Sequence, residues 1–146
     1  MMRLNTMEAV ASDKISIIQI IQNHFPNIQA IYLFGSFGTE DQIPESDVDL
    51  ALLLHYNDAK AHENLYGTEL HSELENGLKR SVDLVNLRQV DLVFQKEIIT
   101  SGHRIFCRDV YATDEFEMLT ISFYQKLNEE RARIVKDAIK TGRFYD

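Results

Sequence analysis

Apolar and polar positions along this chain switch between a helical and a strand period, and the switches mark out its elements. From residue 12 to 24 the spacing predicts an amphipathic helix, with Ser12 or Asp13 at its start and Ile15, Ile18, Ile21 and Phe25 as its inward stripe. Pro26-Asn27 ends it. Ile28 to Phe34 is short, rich in β-branched and aromatic residues and stopped by Gly35, which predicts a buried strand. Val48 to Leu54 predicts a second. A helix is then expected from Asn57-Asp58, with Leu70, Leu74 and Leu78 as a core-facing stripe that closes at Gly77-Leu78-Lys79. Glu63, Glu69, Glu73 and Glu75 fall largely on its other faces and read as solvated.

Arg80 to Leu87 predicts a third strand. Val90, Val93, Phe94 and Ile98 outline a shorter helix closed by Ser101-Gly102, and His103 to Cys107 predicts a fourth strand. Thr113 to Gly142 is the longest helical pattern, striped by Phe116, Phe123, Leu127, Ile134 and Ala138. Asp114, Glu115 and Glu117 near its start and Lys136, Lys140 and Arg143 near its end complement the helix dipole. This helix is read as packing on the core, with a partner covering part of its length as the alternative.

Composition narrows the class. The 146 residues, 45% of them hydrophobic, fit one domain over 1–146 with a core that needs no staples. The single cysteine, Cys107, excludes an intrachain disulfide and reads as a small buried strand residue. No signal-peptide core is present and no apolar stretch approaches 18 residues, so a cytoplasmic protein without membrane contact is expected. A net charge of −8 repels nucleic-acid phosphates and suits a basic partner or a small cation. The five histidines show no metal-ligand spacing and are read as non-ligands; the tyrosines are not clustered for base stacking.

The candidate chemistry lies between the first two strands. Gly35 lets the backbone approach a ligand, and a helical turn beginning at Ser36 would offer free N–H groups and a hydroxyl to phosphate oxygens. Asp47 and Asp49 project from one face of the second strand, with Cα atoms roughly 6.6 Å apart. Two such carboxylates repel unless a cation sits between them, and oxygen-only ligands suit Mg²⁺ or Mn²⁺. A pair of metals calls for a third acid, for which Asp83 on the third strand is the candidate. Ser46, just before Asp47, is a further candidate for phosphate contact.

Gly35-Ser36, ten residues, then Asp47-Val48-Asp49 form GSx₁₀DxD, a combination expected by chance about once in 500 chains of this length. With Asp83, the chain resembles the minimal nucleotidyltransferases of the DNA polymerase β superfamily, and its size and helical C-terminal part resemble the antitoxins among them. The resemblance implies an α/β (α+β) fold, a small mixed sheet flanked by helices. It implies AMP transfer from ATP to a tyrosine of a HEPN-family toxin, with two Mg²⁺ ions on Asp47, Asp49 and Asp83 and phosphates on Gly35, Ser36 and Ser46. A small cationic acceptor such as an aminoglycoside, and a non-catalytic antitoxin acting by binding alone, stand as alternatives. The connector after Ser36 lacks the basic residue common in the family, which leaves triphosphate neutralisation to Lys79, Arg80 or a partner's arginine.

Overall fold

Four strands form one mixed sheet in the order β3-β2-β1-β4. The structure, a computed structural model, describes residues 6–35 and 47–141. In chain order its elements are α1 (Thr6–His24), β1 (Ala30–Phe34), β2 (Val48–Leu53), α2 (Tyr56–Ala61), α3 (Glu69–Leu78), β3 (Val82–Asn86), α4 (Leu92–Ser101), β4 (His103–Cys107) and α5 (Val110–Thr141). β1 pairs antiparallel with β2 and β4, and β2 pairs parallel with β3.

Strand alternation sorts the core into two layers. On one face Ile31, Leu33, Leu50, Leu52 and Leu84 pack against Ile17 and Ile21 of α1 and Leu70, Leu74 and Leu78 of α3. On the other, Tyr32, Ala51, Leu53 and Val85 pack against Ile98 and Phe94 of α4 and Phe116 of α5. A fully buried leucine or isoleucine of this kind contributes about 1.5–3 kcal/mol. The central strands are buried on both faces, which is why their sequences read as continuous apolar runs.

The expected mixed sheet with flanking helices is the observed fold, and β4 has the expected bounds; the other strands lose one or two residues at their ends. Helices depart further. α1 begins at Thr6, so Ser12 and Asp13 lie inside it, and Ile15 is 59% exposed while Ile17 is fully buried. Isoleucines at 15, 17, 18, 20 and 21 surround much of the helix, so only the sheet beneath it selects the buried side.

The helix expected across 57–78 is two helices. Gly67 has φ +76°, Asn64 Oδ1 accepts from the Tyr66 N–H at 3.0 Å, and the Thr68 hydroxyl accepts from the His71 N–H to cap α3. Local side-chain bonds of this sort compete with helix continuation. The Leu70, Leu74, Leu78 stripe is buried as expected.

α5 overturns the core-packing reading for its second half. Phe123 and Ile134 are each 55% exposed, and past Leu127 only Ala138 among the described residues is buried. A helix of 32 residues is about 48 Å long, more than the sheet and α4 can cover. No helix among the described residues is long and apolar enough to cross a membrane.

Candidate active site

The end of β1 and the starts of β2 and β3 meet at one end of the sheet, because β2 returns antiparallel to β1 and β3 lies parallel to β2. Gly35 follows β1 directly, with φ +75°. A Cβ built there would lie 2.0 Å from Asp49 Oδ2. Both the left-handed backbone and the missing side chain are therefore required, and the turn holds its backbone against the carboxylate.

Asp49 is the second residue of β2 and half-buried; its register partners are Phe34 on β1 and Asp83 on β3. Asp83 is exposed, and Asp47, just ahead of β2, is exposed as well. By alternation Asp49 and Asp83 share the sheet face that α4 and α5 cover further along. Burial raises the pKa of Asp49, and the charges of Asp83 and then Asp47 raise it further. The two expected partners thus act on Asp49 electrostatically.

Neighbouring layers fix these strands. The start of β3 is held through Val82, whose N–H donates to Glu75 Oε2 at 2.9 Å and whose carbonyl lies 2.8 Å from His71 Nε2, which donates to it when protonated there. The Val48 N–H donates to the Ser81 carbonyl at 2.9 Å, which ties β2 to β3 beside the acids. On the α4 side, the rings of Phe34 and Phe94 meet edge to face at 5.9 Å. Further along β1, the buried Tyr32 hydroxyl donates to Glu117 Oε2 of α5 at 2.6 Å, and Arg104 of β4 donates to Glu117 and Asp114, each at 2.7 Å. Asp114 and Glu117, expected to serve the helix dipole, thus clamp α5 to the sheet.

These supporting residues were not among the sequence candidates. Glu75, His71, Arg104 and Glu117 carry no local pattern that marks them, since each meets a residue of another element seven to 85 positions away. Ser36, the turn expected there, and Ser46 lie outside the described residues. Lys79 is exposed and forms the left-handed cap of α3, its N–H donating to the Glu75 carbonyl. Arg80 lies between α3 and β3 and is partly buried. The histidines were expected to be non-ligands, and His71 and His55 serve structure: His55 accepts from the Asn57 N–H at the start of α2.

The donor set at this end of the sheet is all carboxylate, which suits a hard divalent cation. Burial first, and then the charges of Asp83 and Asp47, raise the pKa of Asp49, and a cation at its carboxylate would offset both. Among the described residues no group of three or more His, Cys, Asp or Glu closes tightly enough to hold a metal ion.

The family described as "Polymerase beta, Nucleotidyltransferase" matches residues 16–111, and the chain belongs to it. The chain is 36% identical over 124 residues to the protein adenylyltransferase MntA of Shewanella oneidensis, covering 84% of this chain and 85% of that protein. Among solved structures it is similar to a toxin-antitoxin with AMP-PNP, at 34% identity and a TM-score of 0.65 over 86% of this chain and 98% of that one. It is similar also to a chain of the structure of the tri-AMPylated Shewanella oneidensis HEPN toxin in complex with MNT antitoxin, at 32% identity and a TM-score of 0.63, covering 89% of this chain and 98% of that one.

Proposed function

We propose that this chain is a protein adenylyltransferase antitoxin: it transfers AMP from ATP to a tyrosine hydroxyl of a HEPN-family toxin and thereby neutralises it. The observation that carries this reading is the in-register Asp49–Asp83 pair with the Gly35 backbone pressed onto Asp49. The MntA relative and the AMPylated toxin complex support the choice of reaction and acceptor.

In this reading Asp47, Asp49 and Asp83 would hold two Mg²⁺ or Mn²⁺ ions, which supply the positive charge that offsets the triphosphate and acidifies the acceptor hydroxyl. Gly35 and Ser36, with Ser46, receive the outer phosphates through N–H and hydroxyl donors. The tyrosine oxygen attacks the α-phosphorus, the bond to the bridging oxygen of the β-phosphate breaks, and pyrophosphate leaves. Asp83, the most accessible acid on the strands, takes the phenolic proton. From an unassisted tyrosine (pKa ~10) to an ordinary aspartate (~3.9) that transfer is uphill by about 8 kcal/mol, so it follows acidification of the hydroxyl. ATP as donor makes the cytoplasm the site of action.

The test is incubation of the purified chain with Mg²⁺, ATP and the HEPN-family toxin of the same organism, followed by intact-mass spectrometry of both proteins. One or more AMP masses on the toxin, absent with Asp47→Ala, is the expected result. A tight complex without any mass gain overturns the catalytic reading.

A further inference from the structure

An adenylyltransferase acting on a protein needs a surface to receive it, and α5 carries an exposed, largely apolar track, bridged by Arg131, with no covering element among the described residues. The stripe that seats α5 on the domain through Phe116, Thr120 and Leu127 continues at helical spacing into Ile134 and Ala138, and Leu127, Arg131, Val135 and Ile139 form the adjoining i, i+4 row. There Ile134, Val135 and Ile139 are 55%, 56% and 68% exposed. A groove of about 610 Å³ between the start of α4 and α5 is lined by Leu92, Phe94, Leu127 and Arg131. Beyond it α5 alone presents a shallow surface of Ala132, Val135 and Ile139, and Arg131 borders both it and the groove. At its inner end the track reaches Phe94, whose ring meets that of Phe34, the register partner of Asp49.

We propose that this track, from Ile139 to Phe94, is the docking surface for the acceptor protein, and that it leads the acceptor toward the carboxylates; the inference rests on the adenylyltransferase reading. Two arguments favour such a partner over a second copy of this chain. From Leu127 to Ile139 the row is ~18 Å long and ~10 Å wide, or ~180 Å², against the ~800 Å² per partner of a stable interface. Two copies meeting on α5 alone fall short, whereas an occupant that follows the track past Phe94 adds the rim of the active site. Two copies would also bring −8 against −8, which opposes their approach.

The experiment compares the full chain with the double variant Val135→Asp, Ile139→Asp, whose sites are exposed, after circular dichroism shows the same fold. Affinity for the HEPN-family toxin is measured by sedimentation velocity and AMP transfer by intact mass. Docking on this track predicts at least tenfold weaker binding and a matching fall in kcat/KM, with kcat at saturating toxin kept. Equal affinity in the variant overturns the proposal, as does self-association lost in the variant while toxin binding persists. Binding weakened by the variant with no AMP added by either protein leaves the docking surface standing and the catalytic reading fallen. Equal AMP transfer and equal affinity do the reverse. No toxin binding by the unmodified chain overturns both.

Discussion

Gly35 and Asp49 occupy each other's space: the position a Cβ would take on Gly35 lies 2.0 Å from Asp49 Oδ2, in a backbone with φ +75° that already favours glycine. The turn after β1 and the acid on β2 are therefore a single fitted unit.

Gly35→Ala tests that fit. A left-handed alanine costs about 1–2 kcal/mol, and displacement of the Asp49 carboxylate adds to it. The expected outcome is a drop in Tm of about 2–8 °C, at 2–4 °C per kcal/mol, together with loss of nucleotidyl transfer. Full transfer by a stable Gly35→Ala protein contradicts the placement of Asp49 at the chemistry.

Asp49→Asn separates stability from activity. Burial and the charges of Asp83 and Asp47 place the folded-state pKa of Asp49 above its unfolded value. The favourable contribution is then fully present below the unfolded pKa and is lost as pH rises through the folded one, so at neutral pH the ionised side chain weakens the fold. A neutral amide at this position removes that cost. Without divalent metal the variant is expected to melt higher than the original protein at pH 7, with the gap closing in acid, and its transfer rate is expected to fall on the order of 10³-fold. Mg²⁺ should raise the Tm of the original chain and leave the variant nearly unmoved. Thermal melts across pH, with and without Mg²⁺, and a transfer assay check all three.

Tyr32→Phe probes the clamp between sheet and α5. Burial, and then the hydrogen bond to Glu117, push the Tyr32 pKa well above the ordinary tyrosine value, so it is a neutral donor at every physiological pH. Removing the hydroxyl leaves Glu117 with Arg104 and costs about 1–2 kcal/mol, or 2–8 °C in Tm, with AMP transfer retained. Arg104→Met at the same clamp is expected to loosen α5, which hydrogen exchange along Asp114–Thr120 would register.

Lys79→Gly distinguishes a helix cap from a phosphate ligand. Lys79 holds φ 55° and ψ 40° at the end of α3, where glycine is more at ease, so the substitution stabilises by about 0.5–1 kcal/mol. If Lys79 neutralises the triphosphate, the same variant raises KM for ATP while raising Tm. An unchanged KM assigns that charge to Arg80 or to the acceptor protein.

Local pattern determined much of this protein by itself. Continuous apolar runs marked β1 and β2 because central strands are buried on both faces, and the Gly35-Ser36…Asp47-x-Asp49 spacing marked the candidate site because strand alternation and a glycine turn are local geometry. Asp83 was reachable by the same route, as an acid inside a third apolar run. Other features were decided only in three dimensions. Which side of α1 is buried depended on the sheet beneath it, since isoleucines surround that helix. The break between α2 and α3 depended on the conformation of Gly67 and on the caps made by Asn64 and Thr68. The Asp49–Asp83 register is a contact 34 positions apart that only the parallel pairing of β2 and β3 creates, and Tyr32 and Glu117 meet across 85. The open face of α5 was legible only as an alternative: its length suggested a partner over part of it, a periodic stripe encodes that something will cover it, and only the assembled fold reveals that the described residues of this chain do not.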